Sequence, residues 1–332
     1  MYVGVTGATG KLGRWLVREL LDRNYRVRAM VRPTRDGHWG NTASAVEELR
    51  GWGAEIFEAD FVDDAALARF AQGIEVLVHN GYHHVNEDEH PVEWTNLNIL
   101  ASIKLYDAFW RAGGKQLQFI SSGAVYGRGP LYEEERFGKV DLPIDELTLT
   151  APRGLYAVYK SCIEHATVTF KTVHGLKAST SIRPGSGAGL GQLMGYRCYD
   201  DEGALTAEVK RMLKGEKVTL KLPPEITLVD GRDIGSACDL LMRKGVQEGA
   251  EIFDWYLCGN RPISAKVFVQ IFHEIFGDLP LEVQIVDPGR LSSNRRIQEL
   301  GYQPRGSDAT LRDHLSDLAA KLGVRSGVQS SH

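Results

Sequence analysis

Tyr2-Val3-Gly4-Val5-Thr6-Gly7-Ala8-Thr9-Gly10-Lys11-Leu12-Gly13 stands at the start of the chain, and its reading decides the fold. Residues 2–5 are a short apolar run, and a strand is predicted there. Glycine then recurs at every third position. Gly7 permits a tight turn, Gly10 lets the backbone approach a pyrophosphate, and Gly13 allows the next helix to pack closely on the strand. Over residues 11–23, Leu12, Leu16 and Leu20 share one stripe, so a helix follows whose N-terminal amides point at the phosphates. A second apolar run at residues 27–31 completes the strand, turn, helix and strand that a dinucleotide site requires. Gly7, Thr9, Gly10, Lys11, Leu12 and Gly13 are the cofactor-binding residues expected of this turn.

The same alternation continues outward. Strands are predicted at residues 54–58, 76–79, 117–121 and 178–183, with helices at 65–71, 92–112 and 156–174. Repeated β-α-β order predicts an α/β protein of the Rossmann type, with a doubly wound parallel sheet covered on both faces. Beyond Arg183 the pattern loosens. A glycine-rich turn occupies residues 185–191, helices are predicted at 204–214, 234–242, 264–276, 295–300 and 311–322, and a strand at 227–229, with Ser264 as a helix cap. The expected division is a dinucleotide-binding domain over residues 1–185, to which 225–258 return, and a smaller C-terminal substrate-binding lobe over 186–224 and 259–325.

The end of the second strand bears on the choice of cofactor. An NAD site usually has Asp or Glu there for the ribose hydroxyls. This chain has Val31 then Arg32, with Arg35 close behind, and a guanidinium pairs well with a 2′-phosphate. NADP is therefore expected ahead of NAD. The net charge of −4 argues against a nucleic-acid binder held by bulk electrostatics. Cys162, Cys198, Cys238 and Cys258 form no CxxC pair, so neither a structural zinc nor a disulfide framework is expected. No run of about 18 apolar residues occurs, and an apolar strand at Tyr2 leaves no room for a leader. A cytoplasmic protein that does not engage membranes is the expectation.

Tyr156-Ala157-Val158-Tyr159-Lys160 sets a tyrosine and a lysine at i and i+4, on one face of a helix. A phenol titrates near about pH 10, too high for proton transfer at neutral pH. A neighbouring cation favours the phenolate. The pair therefore suits proton exchange between Tyr156 and a substrate hydroxyl or carbonyl. Phe119-Ile120-Ser121-Ser122-Gly123-Ala124-Val125-Tyr126-Gly127 lies at the end of the fifth predicted strand, where catalytic groups gather in such sheets. Ser122 can donate a hydrogen bond to a substrate oxygen. Tyr126 and Tyr159 flank these motifs and read as structural.

In this order and spacing the motifs resemble the extended short-chain dehydrogenase/reductase superfamily, of the NAD-dependent epimerase/dehydratase type, along nearly the whole chain. TGATGKLG is similar to its glycine motif, EADFVDD (58–64) to its acidic segment, and VHNGY (78–82) to the motif that closes its fourth strand. FISSGAVYG and YAVYK look like its catalytic segments, and SIRPG (181–185), VDGRDIGSA (229–237) and LGYQP (300–304) like its later landmarks. The resemblance implies that Ser122, Tyr156 and Lys160 carry the chemistry, Lys160 also holding the nicotinamide ribose. It implies that Asp60 contacts the adenine with Phe61 beside it, and that Asn80 and Gly81 line the cofactor. Arg183 is placed with the cofactor-binding residues. Asn98, in TNLNIL (95–100), looks like the family's helix-four asparagine, open to a proton-relay role or a structural bond to backbone. A homodimer through the two long helices, over residues 92–112 and 156–174, is also implied.

His83, His84 and His90 share a loop with Glu87, Asp88 and Glu89, but their spacing matches no helix-face metal pair. The loop reads instead as the edge of a substrate pocket, with Tyr82 and His83 as contacts to a small-molecule substrate. Trp39 and Trp52 read as packing and Arg295-Arg296 as a solvated helix face. For the reaction, a dehydratase of the family would carry an acidic pair directly after the fifth-strand serine, where Gly123-Ala124 stands. An epimerase usually has an asparagine just past the sixth-strand arginine, where Ser186 stands. A reductase or dehydrogenase needs only serine, tyrosine, lysine and cofactor, and ranks first. A sugar epimerase and a non-catalytic NADP-sensing regulator are the alternatives; regulators of that kind generally lack the YxxxK pair found here.

Overall fold

β1 (Tyr2–Thr6), β2 (Arg26–Val31), β3 (Glu55–Glu58), β4 (Val76–His79), β5 (Gln116–Ile120), β6 (Ala178–Pro184) and β9 (Trp255–Cys258) form one sheet in the order β3-β2-β1-β4-β5-β6-β9. Every pairing is parallel. The computed structural model describes residues 1–33, 43–83, 89–127, 143–185, 204–286 and 292–324. β4 and β5 are buried along their whole length, as expected of strands with helices over both faces. The chain winds outward from β1 in one direction to β3 and in the other from β4 onward. That reversal opens a crevice at the carboxyl ends of β1 and β4.

The helices that cover the sheet are α1 (Lys11–Asp22), α2 (Ala43–Gly51), α3 (Asp64–Ala71), α4 (Pro91–Thr95), α5 (Ala101–Arg111) and α6 (Gly154–Thr172). α4 and α5 are one long rod interrupted by a π-helical turn, Asn96–Leu100. The continuous helix read from the sequence is thus widened by a turn in its middle, a device frequent at functional sites. Val3, Val5, Leu16, Val27 and Val76 fill one side of the sheet. Leu77, Trp94, Tyr106, Phe119 and Tyr159 fill the other.

β7 (Val218–Leu222) pairs in parallel with β11 (Leu281–Ile285), and β8 (Glu225–Ile226) pairs antiparallel with β10 (Ile263–Ser264). With α7 (Ala204–Leu213), α9 (Ala265–Phe276) and α11 (Ser307–Lys321) they enclose a separate apolar cluster that includes Val209, Leu220, Phe268 and Leu315. The strand predicted at residues 227–229 is not one. Leu228 N donates to Ser307 Oγ at 3.0 Å and Leu228 O accepts from Asn260 Nδ2 at 2.8 Å, so side chains take the place of a ladder. β7, β9, β11 and α2 carry no sequence prediction, because each gains its partners only in the folded sheet or cluster. Ser264 caps α9 as read, accepting from Val267 N.

α8 (Gly231–Met242) leans back on α1, and a short α10 (Arg295–Glu299) precedes the last helix. Asp230 and Asp233 start α8 as a reciprocal capping box. A Cβ at Gly231 would lie 2.2 Å from Leu12 O, so only glycine lets the two helices come this close. Gly231→Ala is expected to lower stability by about 1–3 kcal/mol through overpacking, read as a lower midpoint in guanidinium denaturation with an unchanged slope.

Candidate active site

The glycine turn leaves its backbone bare. Gly7 has φ +64°, a left-handed conformation, and a Cβ there would lie 2.7 Å from Asn80 O. A Cβ on Gly13 would lie 2.0 Å from Gly7 O. Gly10 precedes α1 with no side-chain cap and no acidic residue follows in the first turn, so the first amides of the helix suit an anionic ligand. This cradle fits the pyrophosphate of a dinucleotide. Lys11 is half-buried at its rim, and burial lowers its pKa.

Asp60 follows β3, and Arg32 follows β2 close enough for its charge to act on the Asp60 carboxyl. A hydrogen bond with His83, at 3.4 Å, holds that carboxyl below the usual range, with Val62 N and Arg32 adding to the effect. Phe61 lies under Gly81, where a Cβ would meet its ring at 2.2 Å, and packs edge-on against His79 and His83. Asn80 N and Gly81 N donate to Thr6 Oγ1 at 3.2 and 3.0 Å, and Asn80 Nδ2 reaches Gly7 O at 3.3 Å. The loop after β4 is thereby tied to the glycine turn.

The three predicted chemical residues converge at the end of β5. Ser122 leaves the strand in an extended conformation and opens a 3-10 turn, Gly123–Tyr126. Its Oγ accepts from Ala124 N at 3.1 Å, which leaves its O–H as the end to donate. Lys160 Nζ donates to Ile120 O at 2.8 Å, two residues before Ser122. Tyr156 stands one helical turn earlier on α6, its ring centre 5.7 Å from Lys160 Nζ. Lys160 is sealed from water, and burial pushes its pKa down to about 7, while Glu164 one turn on opposes the shift.

Two residues named from the sequence lie in buried hydrogen-bond networks. Arg183 is 2% exposed. Its Nε and Nη2 hold both oxygens of Glu164 at 2.7 Å and its Nη1 donates to Tyr126 OH at 2.7 Å. This guanidinium is thus bonded on all three nitrogens inside the protein, to Glu164 and Tyr126. Asn98 lies in the π-helical turn and spends its amide on backbone: Oδ1 accepts from His83 N at 2.8 Å, and Nδ2 donates to His83 O and Trp94 O, each at 3.1 Å. Of the two roles left open for it, the structural one is filled. His83 is buried by this clamp, which leaves Tyr82 as the half-exposed side chain of the pair. Arg35, Trp39, His84, Glu87, Asp88, Ser186 and Cys198 lie outside the described residues. Among the described residues no group of three or more His, Cys, Asp or Glu could hold a metal ion, and no helix is long and apolar enough to cross a membrane.

Three further residues join the site without a site role expected from the sequence. His79 ends β4 and bonds Thr6 Oγ1 at 2.7 Å and Ser102 Oγ at 2.9 Å. Tyr159 OH donates to Gly81 O at 3.0 Å, and burial raises its pKa. Glu164 could have been found, since it follows Lys160 at i+4 and so continues the face that Tyr156 begins.

Sheet order, glycine turn and the serine-tyrosine-lysine set together define a dinucleotide-dependent oxidoreductase. Residues 3–254 match the model of the NAD dependent epimerase/dehydratase family. The chain is 26% identical to UDP-glucose 4-epimerase of Corynebacterium glutamicum, over 97% of each chain. It is 24% identical to cinnamoyl-CoA reductase 1 of Oryza sativa subsp. japonica, over 91% of this chain and 85% of the relative. Among solved structures, its fold is similar to that of UDP-glucose 4-epimerase of Thermus thermophilus in complex with NAD, with a TM-score of 0.69, 22% identity and coverage of 96% and 99%. The chain belongs to the NAD-dependent epimerase/dehydratase family and is an NAD(P)-dependent enzyme of the extended short-chain type.

The buried histidine makes stability depend on pH. Burial, helped by the charge of Lys160, pushes the His79 pKa down to about 3 from 6.5. Above 6.5 both folded and unfolded forms are neutral; between 6.5 and about 3 only the unfolded form takes up the proton. Stability is therefore lost as pH falls through that window, by up to about 1.4 kcal/mol per pH unit. Urea unfolding of His79→Gln between pH 7 and 4 should show a flatter acid slope than the parent protein.

Proposed function

We propose that this enzyme transfers a hydride between NADP(H) and a small carbonyl or alcohol substrate, with Tyr156 as the proton donor and acceptor. The observation that carries the reading is the anchoring of Lys160 on Ile120 O at 2.8 Å, beneath Tyr156 and beside Ser122. When bound, the nicotinamide supplies or receives the hydride. Ser122 orients the substrate oxygen with its O–H. Tyr156 gives that oxygen a proton in the reductive direction and removes one in the oxidative direction. Lys160 favours the phenolate form of Tyr156 by its charge and hydrogen-bonds the nicotinamide ribose. The glycine turn, Thr9, Lys11 and Leu12 hold the pyrophosphate, Asn80 and Gly81 line the cofactor, and Asp60 and Phe61 serve the adenine side. Substrate selection belongs to the cluster built on α7, β7, α9 and α11. The outer faces of the two long helices, where Leu100 and Val158 are exposed, serve as the contact of a homodimer.

A reductase is favoured over a dehydratase because the turn after Ser122 is Gly123-Ala124, with no acid to take a proton from the substrate carbon. Tyr156→Phe is expected to lower turnover at least about 100-fold with NADPH affinity retained, measured as NADPH consumption across a panel of aldehydes and ketones. Full activity in that variant would remove Tyr156 from the mechanism. Full-length similarity to an epimerase keeps a second reading in view, in which the hydride returns to the same substrate. Denaturing fresh protein separates the two: tightly retained oxidised NAD favours the epimerase, and an empty protein that binds NADPH reversibly favours the reductase.

Preference for NADP is assigned to Arg32. Arg32→Ala should weaken NADPH binding by about 10-fold, the loss of one charge-assisted phosphate contact, and leave NADH binding unchanged in fluorescence titrations. Equal loss for both cofactors would remove Arg32 as the selector.

A further inference from the structure

Tyr156 begins its work from a weak position. It is the third residue of α6, whose first turn has no side-chain cap from Arg153. First turns have few internal hydrogen bonds, and a phenol that must point at one substrate atom needs support from outside its own helix.

That support comes from the loop after β4. Tyr82 is fixed through its neighbours: Gly81 N is bonded to Thr6 Oγ1, Gly81 O receives Tyr159 OH, and His83 is clamped at both N and O by Asn98. Its side chain is fixed as well. Trp94 is fully buried and its Nε1 donates to Tyr82 OH at 2.8 Å. Held at both ends, the Tyr82 ring stands perpendicular to Tyr156, with ring centres 5.2 Å apart and an interplanar angle of 89°. It also leans on Tyr159, with centres 5.5 Å apart. Edge-to-face pairs at this separation attract beyond their simple contact area. Through Tyr159, the same ring adjoins the residue directly before Lys160.

We propose that Tyr82 is a positioning residue for the reaction, bracing the ring of Tyr156 so that its hydroxyl keeps one direction relative to Lys160 and the substrate oxygen. The sequence places Tyr82 at the substrate pocket, and the bracing role is compatible with that, with the π-helical turn and Asn98 as the fixture that holds the brace. The proposal rests on Tyr156 being the acid-base group, and its test separates the two ideas. A ring is required at position 82, and its hydroxyl adds to the brace through the bond from Trp94 Nε1.

The test reads Tyr156 directly and needs no known substrate. Tyrosinate absorbance in the near ultraviolet is titrated for the full chain, with Tyr156→Phe as the reference that removes the signal of interest. NADPH fluorescence and the melting temperature are followed in parallel. The parent protein should show one tyrosine ionising below the usual phenol range, absent from Tyr156→Phe. Tyr82→Phe, which keeps the ring and loses the bond from Trp94, should move that ionisation by well under tenfold. Tyr82→Leu, which fills space without a ring, should move it at least tenfold in proton affinity toward an ordinary phenol while NADPH binding changes by less than about threefold. Trp94→Phe, which keeps Tyr82 but removes its anchor, should give an intermediate shift and provides the reading if the leucine variant does not fold. If Tyr82→Leu and Trp94→Phe leave the ionisation in place, or Tyr82→Phe moves it as far as leucine does, the bracing role is overturned. If Tyr156→Phe removes no such ionisation, the acid-base assignment of Tyr156 itself fails, a separate outcome that also overturns the brace.

Discussion

Arg183 and Glu164 meet with side chains 2% and 1% exposed, and the arrangement of the catalytic segments depends on that pair. Arg183 comes from the end of β6, Glu164 from the third turn of α6. Tyr126, which receives the third guanidinium bond, closes the turn that begins at Ser122. Tyr126 in turn donates to Asp145 O at 2.8 Å, and Arg183 lies between the rings of Tyr126 and Trp255. Removing two charges from water costs several kcal/mol per ion, and only bidentate geometry with further hydrogen bonds offsets it. Both conditions are met here. The pair therefore works less as a source of net stability than as a device that allows β5, β6 and α6 one relative position.

That position has electrostatic consequences. Lys160 is drawn into an apolar setting among Phe119, Tyr156 and Tyr159 and tied to a strand carbonyl. Desolvation disfavours its charge, and Glu164 is the carboxylate that restores part of it. His79 lies beside it and stays neutral at working pH, serving Thr6 and Ser102 as a hydrogen-bond bridge from β1 to α5. Lys160 is thus a buried amine whose charge is set by desolvation on one side and by the paired Glu164 on the other. A second buried network holds the C-terminal part to the sheet. Arg305 pairs with Asp230, Asp233 and Asp313, and Asn260 joins Leu228 O, Asp233 and Thr310. Burial beside Asp230 pushes Asp233 up to about 6, against the pull of Arg305. Because α8 starts in this network and rests on α1, the separate apolar cluster is linked to the helix that follows the glycine turn.

Much of this is legible in the sequence. Strand, glycine turn and helix at the N-terminus, the i and i+4 pairing of Tyr156 with Lys160, and Ser122 at a strand end all follow from patterns within a few residues. Periods of two and 3.6 and the steric freedom of glycine determine them locally. The sequence by itself therefore determined the fold class and the family, and it nominates the glycine turn for the cofactor and Ser122, Tyr156 and Lys160 for the chemistry. Tertiary structure alone decided what surrounds them. Arg183 met Glu164 and Tyr126, Asn98 bonded the backbone of His83, residues 227–229 gave their hydrogen bonds to Ser307 and Asn260, and Tyr82 came to stand against Tyr156. Each of these contacts joins elements distant along the chain, and no local period records which buried donor will meet which acceptor; that choice is made by the packing that excludes water from both.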